Sequence, residues 1–369
     1  MKSSLARASA ALCLAATAAS CSGGGGEASG AKLVVVASIF PLYDLARRVG
    51  GEAADVRLLL PPGRSEHDFD PTVAEVKSVA DAKLAFLVGL EMDEWLTKTV
   101  EASGGGATVV RMGEKVTTRP FYAPLLGDVD EAPGGSAAPA TAAGSAAPKG
   151  EKGAASAAPS AAPASAAGTP APASAASAAA DGDHHDGDHD EGEHHHHEHG
   201  GGPDPHIWMS VPNAIKMADA MAAAMIAASP GGKATFEANV AKLKDELGKL
   251  QEEVKTRTAA FTKKGFITFH GSFGYFADAY DLTIVAIIEP SPGKEPTPAY
   301  LNSVLSYVKG KPVGALYIEP QLDPKPGEVL AKEAGLPLLT LDPIGGRPDT
   351  DSYEKLIRFN VDALEKSLK

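Results

Sequence analysis

The sequence predicts an α/β fold of two lobes, each a parallel sheet covered by helices, joined by one long rigid helix. Two observations carry this expectation. Short apolar runs alternate with amphipathic segments on both sides of a low-complexity stretch, and strand-helix-strand repetition at that spacing marks parallel sheets. Between the two alternating regions, one apolar stripe continues long enough to reach from one lobe to the other.

The first alternation begins at residue 33. "KLVVVASIF" reads as a strand, and "PLYDLARRVGG" as a helix with Pro in its first turn and Gly at its end. "DVRLLLPPG" is a second strand running into a loop. "DPTVAEVKSVADA" is a second helix, for which Asp70 is the expected cap. "KLAFLVG", "MDEWLTKTVEA" and "ATVVRM" continue the pattern. After the low-complexity stretch, "VPNAIKMADAMAAAMIAASP" is an Ala/Met-rich helix, with Met217, Met221 and Met225 stepping by four as core residues. Phe236, Val240, Leu243, Leu247, Leu250 and Val254 then step by four and three along a single face. A helix over residues 232–261 is roughly 45 Å long. The alternation resumes with "GFITFH", "FGYFADAYD", "LTIVAII", "TPAYLNSVLSYVKG", "GALYIEP", "KPGEVLAKEAG" and "LPLLTLD", and a last helix starts near Asp349.

This gives an organisation of residues 1–20 as a signal peptide, 21–31 as a spacer, 32–127 as the N-terminal lobe and 128–203 as an insertion. Residues 204–230 complete the N-terminal lobe, 231–262 form the linking helix and 263–369 the C-terminal lobe. The start has Lys2 and Arg7, a short Ala/Leu-rich run too brief to span a bilayer, and small residues before Cys21. Residues 132–180 are nearly all Ala, Pro, Ser and Gly and have little to bury, so they read as a disordered linker. The formal charge of −13 argues against nucleic acid or an anionic membrane surface as partner. Much of it is local, since residues 181–199 hold eight Asp/Glu and no Lys or Arg. The chain has 2 cysteines, and Cys13 lies within the signal. The exported protein can form no internal disulfide and no cysteine-based zinc site, which leaves histidine and carboxylate as metal ligands.

Of 11 histidines, eight lie in the tract 184–199. The other three are His67 in "GRSEHDFDPT", His206 in "PDPHIWMS" and His270 in "GFITFHGSFGYF". Each stands at a strand end or in a loop entering a helix, where ligands bind in open α/β sheets. A single loop histidine is more often a surface or hydrogen-bonded residue; three in comparable places are a candidate constellation. Three neutral imidazoles with one carboxylate or water suit Zn²⁺ in tetrahedral geometry, whereas Mn²⁺ prefers more oxygen. Trp208, Phe273 and Tyr275 read as packing around such a site.

The segments "ASIFPLYDLARRVGG", "LLPPGRSEHDFDPTVAEV", "DPHIWMS", "FHGSFGYFADAYDL", "EPTPAYL", "YIEPQLDP" and "LDPIGG" together resemble the metal-binding subunits of bacterial zinc/manganese ABC transporters. The resemblance covers residues 32–125 and 203–369. It implies that His67, His206 and His270 are the first three metal ligands, and a histidine at the third position favours zinc over manganese. It implies a carboxylate as variable fourth ligand; Asp342 is preferred over Glu66, with water as the alternative to both. The family commonly has an acid directly after the third ligand, whereas Gly271 and Ser272 stand here, which puts the outer support of His270 in question. The tract between the first two ligands reads as an accessory zinc collector, or else as a solubilising insertion. The N-terminus resembles a lipobox, with Ala18 where Leu is commoner, and implies lipidation at Cys21.

The resulting expectation is an extracytoplasmic, monomeric, membrane-anchored zinc carrier and not an enzyme. It would hand Zn²⁺ to an ABC permease and its ATPase. The alternatives are a manganese carrier or adhesin of the same fold, and a zinc hydrolase using Glu66 as general base. Against the hydrolase, no HExxH helix is present.

Overall fold

The computed structural model describes residues 31–121, 202–291 and 293–369. The signal, Cys21 and the His/acid tract lie outside the described residues. Among those described, no helix is long and apolar enough to cross a membrane.

Strand β1 (Leu33–Ala37) is Leu-Val-Val-Val-Ala, a β-branched run whose side chains fit a sheet covered on both faces. Helix α1 (Phe40–Gly50) follows, with Pro41 in its first turn and Gly51 at positive φ ending it. Strand β2 (Ala54–Leu58) opens into a long loop that precedes the short helix α2 (Val73–Ser78). The cap of α2 is Thr72 and not Asp70: Thr72 Oγ1 accepts from Glu75 N at 3.4 Å, and Glu75 Oε2 accepts from Thr72 N at 2.6 Å. This reciprocal pair satisfies two orphan amides at once, which one Asp before Pro71 could not do. Strand β3 (Leu84–Leu87), helix α3 (Trp95–Ala102) and strand β4 (Thr108–Arg111) complete an all-parallel sheet of order β2-β1-β3-β4.

Helices α4 (Val211–Ala228) and α5 (Lys233–Ala259) come next. The 27 residues of α5 extend about 40 Å. Phe236, Leu243, Leu247, Leu250 and Val254 are buried along one face, with Val240 half-buried. Met217, Met221 and Met225 are buried on α4. The second lobe contains strand β5 (Gly265–Thr268), helix α6 (Gly274–Ala279) and strand β6 (Thr283–Ile287). Helix α7 (Pro298–Val308), strand β7 (Val313–Ile318) and helix α8 (Lys325–Ala334) follow. Strand β8 (Leu338–Thr340) and helix α9 (Tyr353–Leu368) end the chain, and this sheet is also parallel, of order β6-β5-β7-β8. Helix α9 starts later than the sequence suggests. Thr350 closes a loop by accepting from Gly346 N, and Ser352 is the residue that caps, its Oγ accepting from Lys355 N at 3.2 Å.

The alternation of side chains across β5 sends Phe266 to one apolar cluster and Ile267 to another. The first cluster is continuous from Val35 and Leu42 through Met221 and Leu247 to Tyr317 and Ile357, so the two lobes share one core. A polar seam reinforces it. Tyr353 Oη donates to Trp208 O at 2.7 Å, and Trp208 Nε1 donates to Pro343 O at 2.7 Å. Asp44 on α1 accepts from Tyr353 N at 3.0 Å, and Arg48 bridges Glu354 of α9 and Glu246 of α5.

Candidate metal centre

Strands β5 and β7 are hydrogen-bonded parallel neighbours, so the residues just past their carboxyl ends meet. These residues are His270 and Glu319. His270 Nδ1 lies 2.7 Å from Glu319 Oε2, and Glu319 Oε1 accepts from His270 N at 3.3 Å and Ser272 Oγ at 3.5 Å. His206 is anchored in a similar way. It leads into α4, and Asp204 Oδ1 accepts from its backbone N at 3.0 Å and lies 2.9 Å from Nδ1. With Nδ1 of each ring turned to a carboxylate, Nε2 is the atom available to an ion, and the two Nε2 atoms stand 3.1 Å apart. Two nitrogens bound to one tetrahedral Zn²⁺ would stand about 3.3 Å apart.

The long loop after β2 brings Glu66 and His67. The His67 ring centroid is 5.7 Å from that of His206 and 5.4 Å from that of His270. Trp95 Nε1 donates to Glu66 O at 3.4 Å, Phe69 stacks edge-on against Trp95, and Arg64 lies over Phe69, which shapes the loop. One ligand atom from each of Glu66, His67, His206 and His270 lies within 4.8 Å of all the others. Glu66, His206 and His270 are buried, and Glu66 Oε1 has no hydrogen-bond partner. Leaving a buried carboxylate oxygen unpaired is costly unless a cation completes it.

The electrostatics agree with that need. Burial pushes the Glu66 carboxyl up, partly opposed by His270 and His206, and pushes the His270 ring down toward its neutral, ligating form. Burial also raises Glu319, to about 8, against the His270 backbone N–H that favours its charged form.

Asp342, preferred as fourth ligand from the sequence, stands outside this group. Its Oδ1 accepts from Gln321 Nε2 at 2.9 Å, Ile344 N at 3.1 Å and Gly345 N at 2.9 Å. Its Oδ2 accepts from Arg347 Nε at 3.0 Å and Thr350 Oγ1 at 3.2 Å. Both oxygens are spent on shaping the loop 342–350, and Glu66 is the carboxylate among the imidazoles. Sequence reasoning gave no role to Asp204 or Glu319. Asp204 precedes His206 by two residues and contacts it locally, whereas Glu319 follows β7 directly and only the pairing of β5 with β7 shows that it touches His270. The support that a missing acid after His270 puts in question comes from Glu319. Trp208 and Phe273 are buried beside the site, as packing residues should be.

The chain matches the family described as zinc-uptake complex component A, periplasmic, over residues 35–137 and 151–367. It is 27% identical over 338 residues to the zinc-binding lipoprotein AdcA of Streptococcus pneumoniae (strain ATCC BAA-255 / R6), covering 92% of this chain and 55% of that protein. The chain therefore spans about half the length of that relative. It is 24% identical over 349 residues to the iron ABC transporter substrate-binding lipoprotein MtsA of Streptococcus pyogenes serotype M1, covering 91% of this chain and 89% of that one. The fold is similar to the crystal structure of ZnuA, with a TM-score of 0.65 at 18% identity over 92% of this chain and 100% of that one. It is similar too to Zn(II)-bound AdcA from Streptococcus pneumoniae, with a TM-score of 0.61 at 23% identity over 91% and 58% of the two chains. Matched along both of its lobes, this chain belongs to the family of zinc-uptake complex component A, periplasmic.

Proposed function

We propose that this protein captures Zn²⁺ outside the cytoplasm and delivers it to an ABC transporter permease and its ATPase. The observation that carries the reading is the convergence of His67, His206, His270 and Glu66, three imidazoles and a carboxylate with ligand atoms within 4.8 Å. This is a donor set suited to tetrahedral zinc, whereas manganese prefers more oxygen. The relatives named zinc-binding and ABC transporter substrate-binding lipoproteins support the same reading. A site that fills all four positions with side chains binds and does not hydrolyse, because hydrolysis needs a position open to water. Cys21 is the proposed lipid anchor and the His-rich tract 184–199 an accessory collector. The shared core of the two lobes favours release with small lobe movements.

Zinc binding to the full chain, measured against a competing chelator, tests this. One tight zinc per chain is expected, held in preference to manganese and lost in His67→Ala, His206→Ala and His270→Ala. Tight binding that survives all three substitutions would sink the assignment. Absorption spectroscopy at the zinc edge separates carrier from hydrolase, since an exchangeable water on the ion favours the enzyme.

A further inference from the structure

We propose that Arg119 is a positioning residue for zinc capture, acting on His206 through Asp204. The inference rests on the zinc-capture reading and adds to it a device that brackets the insertion. The two chain segments on either side of residues 122–201 pair with each other: Pro120 bridges Pro203, Phe121 N donates to Gly202 O at 2.9 Å and Asp204 N donates to Arg119 O at 2.8 Å. Tyr275 of α6 ties both segments, since its Oη accepts from Arg119 N at 3.1 Å and donates to Asp204 O at 2.8 Å.

The guanidinium completes the clasp. Arg119 Nη1 donates to Asp204 Oδ2 at 2.9 Å and Nε donates to Asp278 Oδ2 at 2.7 Å. Asp204 thus has one oxygen on Arg119 and the other on His206. A carboxylate is planar, so fixing Oδ2 fixes the line along which Oδ1 meets Nδ1, and with it the aim of Nε2. The room for this arrangement is reserved by glycine. A Cβ on Gly274 would stand 2.1 Å from Arg119 Nη1 and 2.6 Å from Asp204 Oδ2. On the other side of the clasp, Phe121 lies with its ring centroid 6.1 Å from that of His206, and a Cβ on Gly271 would stand 2.7 Å from Phe121 Cζ. Gly271 and Gly274 both lie between His270 and the body of α6, so this segment accepts the clasp only with small residues at those positions.

The test measures zinc affinity by chelator competition and the melting temperature of the zinc-free full chain. Arg119→Met should raise the zinc Kd about 10–100-fold, and should also lower the zinc-free melting temperature because the buried Asp204 Oδ2 loses this donor. Arg119→Lys, which keeps the charge without the planar fork, should recover part of that loss. Gly274→Ala should reproduce Arg119→Met. The inference is overturned if Arg119→Met stays within about three-fold of the native Kd, or if Lys is no better than Met in zinc affinity. Should Arg119→Met not fold, Asp278→Asn is read instead, because Asp278 is the exposed anchor of the same guanidinium. A raised zinc Kd there supports the inference and an unchanged one overturns it. His206→Ala is the control: if it keeps tight zinc, the metal-site reading fails; if it loses zinc while Arg119→Met does not, only the role of Arg119 fails.

Discussion

Replacing Glu319 by Gln is the sharpest single perturbation of this site. The carboxyl faces His270 Nδ1 with Oε2 at 2.7 Å, and its Oε1 accepts from His270 N and Ser272 Oγ. An amide of the same shape can satisfy only one of these two sides. If its oxygen faces Nδ1, its NH₂ opposes the His270 backbone N–H. If its NH₂ faces Nδ1, the ring takes the other tautomer and Nε2 carries the proton, which removes the lone pair an ion needs. The loss is that of one close carboxylate contact to a ligand ring, roughly 10–100-fold in zinc Kd, or about 1.5–3 kcal/mol. The zinc-free protein should not suffer. Burial holds the Glu319 carboxyl at about 8, so at neutral pH that carboxyl is mostly protonated without metal, and Gln is a close neutral substitute. Chelator competition on the full chain gives the Kd, and calorimetry without zinc gives the melting temperature. A Kd within about three-fold of native, or a zinc-free melting temperature that falls along with affinity, refutes the reasoning.

Glu66→Gln should weaken zinc while leaving three nitrogen ligands visible at the zinc edge; an unaltered coordination sphere would remove Glu66 from the ligand set. Zinc-free stability should fall as pH rises from about 6.5 to 8. Burial raises Glu319 to about 8 and Glu289 to about 7, so the folded chain keeps protons that the unfolded chain releases near the ordinary glutamate value of 4.5. The downward shift of His270 acts in the opposite sense, but only below the ordinary histidine value of 6.5. The expected loss is about 1–2 kcal/mol, read as a melting temperature lower by a few degrees; a flat or rising profile contradicts the shifts. The melting increment given by zinc should grow over the same range, because protons compete with the ion for its ligands. Tyr353→Phe leaves the buried Trp208 carbonyl without its donor and should cost about 1–2 kcal/mol in denaturant unfolding with zinc affinity unchanged.

Much of the architecture is legible in the chain itself, because periodicity acts over short distances. The stripe from Phe236 to Val254 marks α5, and the apolar runs of β1, β3, β5 and β7 mark strands buried on both faces. The candidate ligands His67, His206 and His270 are legible for a different reason: they are the histidines left once the tract 184–199 is set aside, and neither lobe contains a cysteine. Their meeting around one point is not written locally. It follows from the pairing of β5 with β7, which puts Glu319 against His270, and from the clasp that sets Asp204 on His206. The choice between Glu66 and Asp342 was equally out of reach, since a carboxylate's role depends on which donors surround it. Asp342 meets five of them, four in its own loop and the fifth from Gln321, whereas Glu66 Oε1 meets none. Residue type and period fix which groups can bind a metal; only long-range contacts decide which oxygens are still unspent.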